Sequence, residues 1–68
     1  MNENQVAAIK DWRSMNHAMH LLTEQEVLEL LEHEKRHARR PNFLERLHAR
    51  YNSLRVSRER IEIMGLAK

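Results

Sequence analysis

Cysteine is absent from this 68-residue chain, and glycine and proline occur once each. Without thiols there is no disulfide staple and no thiolate metal site, and the pattern fits a reducing compartment. The lone Gly65 and the lone Pro41 leave little material for the tight turns that sheets use. Aromatic residues are just as sparse, limited to Trp12, Phe43 and Tyr51. No run approaches the ~18 apolar residues needed to cross a bilayer. Residues 1–10 lack the cationic stretch and apolar run of a secretory signal. A cytoplasmic protein is the expectation.

What the chain has in quantity is Leu, Glu, Arg, His and Ala. Straight-chain residues and Ala lose little rotamer freedom in a helix, so an all-α fold is expected. The length allows one domain, residues 1–68, and a domain this short buries only about 60% of its unfolded surface. Oligomerisation is a common remedy. The net charge of +2 hides a marked asymmetry. Residues 1–34 carry two cations against seven acids, whereas residues 35–68 carry ten cations against three. The basic half therefore calls either for an acidic partner or for pairing with the acidic half.

Thr23 and Glu26 have the spacing of a capping box, and Leu22 and Val27 that of a hydrophobic staple. Apolar residues at Val27, Leu28, Leu30, Leu31 and Ala38 then form one stripe, predicting a helix over 24–39. Its early acids and late bases both compensate the helix macrodipole. Pro41 disfavours helix at Arg40, and Asn42 with Glu45 offers a second capping box, predicting a helix over 43–64. On it, Leu44, Leu47, Tyr51, Leu54 and Ile61 form a core or dimer seam interrupted by Arg58. Gly65 is placed to end that helix as a left-handed C-cap. Ala8, Trp12, Met15, Met19 and Leu22 step by four and three, predicting a third helix over 4–19 started by Asn2 or Asn4. The short link at Pro41 implies an antiparallel helical hairpin, its seams completed by a second copy in a homodimer, with a three-helix monomer as the alternative.

His33-Glu34-Lys35-Arg36-His37 has the H-E-x-x-H form of zinc peptidases, with Glu34 in the place of the base. The neighbouring cations, the missing third ligand and the short chain favour a solvated helix end instead. Ser14, Ser53 and Ser57 lack a base and its orienter, and no glycine-rich phosphate loop occurs. No catalytic residue, metal site or cofactor is expected. Trp12 reads as core, with an exposed anchor beside Met15 and Met19 as the alternative. The basic residues nearest the turn, Arg36, Arg39, Arg40, Arg46 and Arg50, form the candidate partner-binding surface together with Phe43. Aromatic and Arg residues are enriched in protein interfaces. The same bases could instead neutralise phosphates, although no recognition helix or stacking aromatics accompany them.

In size, composition and the hairpin expected over residues 23–64, the chain resembles small, cysteine-free, Arg- and Glu-rich helical proteins of phages and mobile elements. That resemblance implies a non-enzymatic modulator or inhibitor of a host regulatory or defence protein. It assigns no residue a role. The alternative is a nucleic-acid-binding regulator.

Overall fold

The computed structural model describes residues 1–66. Four helices follow in order: α1 (Glu3–Ala8), α2 (Trp12–Ala18), α3 (Glu24–Arg36) and α4 (Pro41–Leu66), with a 3-10 turn at Met19–Leu21. Among the described residues there is no strand. The fold is all-α, and among the described residues no helix is long and apolar enough to cross a membrane.

Local capping chemistry sets most boundaries. The Asn2 side chain accepts from Gln5 N at 2.9 Å while Gln5 Oε1 accepts from Asn2 N at 2.9 Å, closing a capping box on α1. The single helix expected over 4–19 is not formed. Asp11 is extended, and its carboxylate accepts from Ser14 N at 2.7 Å, ending one helix and starting another. Thr23 and Glu26 make the reciprocal bonds expected of them, at 3.2 and 2.9 Å.

The link between α3 and α4, together with the end of α4, differs from expectation in three ways. First, α3 stops at Arg36, three residues short of the predicted end. His37 leaves the helical region, and Arg39 takes a left-handed φ of 51° while its N–H donates to Glu34 O at 2.9 Å. Second, Asn42 does not cap α4. Pro41 is its first residue, where the missing N–H costs nothing, and Arg40 O accepts the first helical bond from Leu44 N. Third, Gly65 lies within α4, because glycine permits a left-handed ending without requiring one.

The core gathers side chains from all four helices. Ala8, Met15, Ala18, Met19, Leu22, Val27, Leu30, Leu31, Phe43 and Leu47 are buried, with Ile9, Leu44, Tyr51 and Leu54 packed against them. Ala8 and Met15 can both point inward because two short helices, each re-aimed at Asp11, replace one long one. Trp12 is the exception on that line. As the first residue of α2 it is 42% exposed, so it is not core. Gln5, although polar, is buried and donates to Glu26 O at 3.2 Å and Glu29 Oε1 at 3.3 Å, tying α1 to α3.

Helix α4 has 26 residues and α3 has 13. At 1.5 Å per residue α4 is roughly 39 Å long, close to the full 44 Å extent of the molecule. The two helices touch along their length, from Glu34 with Arg40 to Glu24 with Arg58. Beyond that point no other described element lies beside α4. From Arg55 to Leu66 every residue is exposed. Ile61, expected in the seam, is 73% exposed, since α3 is too short to reach it.

Candidate interaction surfaces

The residues expected at a basic tip separate into inward and outward groups. Arg40 turns in. Its Nε donates to Glu34 Oε2 at 2.8 Å, its Nη2 to Glu34 Oε1 at 2.9 Å, and its backbone N–H to Oε2 at 3.0 Å. The same Nη2 donates to Ile9 O at 3.0 Å, and the guanidinium lies 3.5 Å above the centre of the Phe43 ring. One arginine thus joins α3, α4 and the end of α1. Glu34 is only 1% exposed, so its charge persists because a bidentate cation and a backbone N–H satisfy it. These hydrogen bonds hold its carboxyl below the usual range, against the opposing effect of burial. In return they push the Arg40 guanidinium up.

Phe43 is buried at 4% exposure, which removes it as an exposed anchor. Trp12 covers it, edge-on at 5.7 Å and 62°. Arg46 donates from Nε to Asn16 Oδ1 at 3.2 Å, linking α4 to α2. Arg50 is half-buried. Arg36 and Arg39 remain on the surface with Lys35, although Arg39 Nε is occupied by Lys35 O at 2.9 Å. The outward basic group is therefore Lys35, Arg36 and Arg39, smaller than the sequence suggested.

The H-E-x-x-H segment occupies the last turns of α3. His33 and His37 lie with ring centres 4.1 Å apart, as their spacing implies. Glu34, however, is buried and spends both oxygens on Arg40. The residue that a peptidase would need as base is thus committed to structure. Among the described residues no group of three or more His, Asp or Glu side chains converges on a metal-sized site.

At the far end of α4 the surface changes character. Val56, Ile61, Ile63, Met64 and Leu66 are all more than half exposed. Arg58 bridges back to Glu24 at 2.9 Å and along the helix to Glu62 at 3.1 Å. Both carboxylates raise its already high pKa, Glu24 the more. Ile61, Met64 and Gly65, with Arg60, line an open groove of about 450 Å³. Of these exposed apolar residues, sequence reasoning singled out Ile61 alone. The seven-residue step from Val56 to Ile63 was the readable signal for the rest.

Residues 3–57 match the family described as a domain of unknown function, DUF8129. The chain belongs to that family. The matched segment takes in the whole packed body of this DUF8129 domain and stops at residue 57, inside the exposed stretch of α4 that begins at Arg55. No curated protein and no solved structure matches the chain.

Proposed function

We propose that this DUF8129 chain is a non-enzymatic protein-binding module, a small modulator or inhibitor of a regulatory or defence protein of its host. In this reading α3 and α4 act as an antiparallel helical hairpin, and the chain works as a homodimer in the cytoplasm. The observation that carries the reading is the uncovered end of α4. A helix end with apolar side chains on several sides has no stability of its own in water, because short isolated helices are marginal. Five large apolar residues there are each more than half exposed, distributed around the helix. Protein contact removes such surface from water, whereas contact with nucleic acid does not use it.

A second reading is favoured by Lys35, Arg36 and Arg39, exposed together where α3 ends. They could engage nucleic-acid phosphates. Light scattering of the purified chain with and without a short DNA duplex, at two salt concentrations, separates the readings. No complex with DNA is expected at either salt. A complex that dissolves as salt rises would place phosphate binding first.

A further inference from the structure

We infer that His33 and His37 together hold one divalent transition-metal ion, of the zinc, nickel or copper kind, at the end of α3. The inference is independent of the protein-binding reading. Residues four apart lie on one face of a helix, one turn above the other. His37 has left the helical region, yet its N–H still donates to His33 O at 3.1 Å, so the register survives the cap. The imidazoles meet with ring centres 4.1 Å apart and planes tilted by 53°. Metal–nitrogen bonds of about 2.0–2.1 Å set two imidazoles on adjacent corners of one ion with ring centres roughly 4.5–5 Å apart. The pair therefore needs to open by only about 1 Å or less, a small side-chain rotation.

The surroundings suit a cation. His33 is half-buried, and its Nδ1 is buried without a hydrogen-bond partner, the kind of unmet polar atom that an ion can explain. Both histidines line an open groove of about 400 Å³ with Gln25, Glu29, Glu32 and Arg36. Two carboxylates there stand against one cationic side chain, so the groove tolerates added positive charge. Neutral imidazole is a ligand that zinc, copper and nickel accept well. With two protein ligands, the remaining positions fall to water. That is fewer than the three or four of a catalytic or structural zinc site, so binding is modest and no hydrolysis follows from it. Glu34, already spent on Arg40, takes no part.

Calorimetric titration of the full chain with nickel chloride, in a buffer that does not coordinate metal, tests the site. One ion per chain is expected, with a Kd on the order of 10–100 µM for two neutral ligands. His37→Ala should weaken binding by about tenfold or more. His37 is exposed at the helix end, so this variant keeps the fold, which circular dichroism checks. His33→Ala should weaken binding similarly, whereas His17→Ala with His20→Ala should change it by less than about twofold. Lys35→His added to His37→Ala keeps five histidines but sets the pair two residues apart, off the shared face, and should restore nothing. Millimolar nickel should also raise the melting temperature of the wild-type chain by a few degrees and leave that of His37→Ala unmoved. No saturable binding below about 1 mM would overturn the site. So would binding that ignores His37→Ala, binding that Lys35→His restores, or binding that the His17 and His20 changes abolish.

Discussion

The two ends of α4 share one helix and almost nothing else. From Pro41 to Leu54 its inner face is held by α3 and, through Arg40, Phe43 and Arg46, by the α1–α2 region. From Arg55 onward it is held only by its own backbone and by Arg58. The near end has its side chains chosen by packing. The far end carries residues of the same apolar kind with no packing to explain them. Burial, and not residue type, separates a structural leucine from a candidate contact, and a substitution series along α4 should show it.

The largest effect is expected at Leu47, which is fully buried. Leu47→Ala should cost about 3 kcal/mol through lost burial and the cavity left behind. A chain of this length has only about 3–10 kcal/mol in total, so urea unfolding should find the variant near its threshold. Ile61→Ala, the same kind of truncation on the same helix, should stay within ~0.5 kcal/mol in dilute solution. Equal losses at the two positions would mean that the far end is covered even in the single chain.

Next comes the ion pair that fastens the turn. Arg40→Ala strips the buried Glu34 of two hydrogen bonds but spares its contact with the backbone N–H of residue 40. Breaking a fully buried pair costs ~3–5 kcal/mol; with Arg40 about a third exposed, about 2 kcal/mol is expected. The same pair makes stability depend on acid. The Glu34 carboxyl titrates below its ordinary 4.5 when folded, because Arg40 favours the charged form. Between the folded and unfolded values the unfolded chain binds more protons, so stability rises with pH there. The contribution is complete above pH 4.5 and is lost as pH falls through the folded value. Glu34→Gln should flatten this part of the melting-temperature profile. An unchanged acid limb would remove Glu34 as its source.

How far this was legible in advance depended on the range of the interaction involved. The capping box of Thr23 with Glu26 is settled within a few residues, and the sequence shows it directly, whereas α3 ends at Arg36, three residues before the end expected from Pro41. The break at Asp11 is just as local but was masked. Ala8, Met15 and Met19 keep helical spacing across it, so a continuous stripe hides an Asp cap in its middle. Arg40 is different in kind. Read as one of several bases near a turn, it belongs to a surface, and only the fold brings Ile9, Glu34 and Phe43 around it. The uncovered end of α4 is also a matter of lengths. Ile61 follows the seam by periodicity, and nothing local reveals that α3 starts too late to meet it.

Caps give a smaller and more local effect. Thr23→Ala removes the acceptor for Glu26 N at the start of α3 and should cost about 1 kcal/mol. Since α3 brings Val27, Leu30 and Leu31 into the core, the loss should appear in cooperative unfolding of the whole body. A loss confined to local helix content would show that α3 frays independently.

The smallest effect on stability, and the sharpest on the comparison, is expected from Gly65→Ala. Gly65 is helical and a Cβ there meets nothing, so alanine brings no clash. Alanine is better than glycine in a helix interior by about 0.8–1 kcal/mol. In the packed body such a gain would add to global stability. At the far end, in dilute solution, it should appear as added helix signal in circular dichroism, with the melting temperature of the body moved by less than about 1 °C. The reason is that the last turns of α4 share few contacts with the core, so they can melt while the body stays folded. A melting temperature raised by several degrees would show that the whole helix unfolds as one unit with the body, and the division of α4 into two regions would fail.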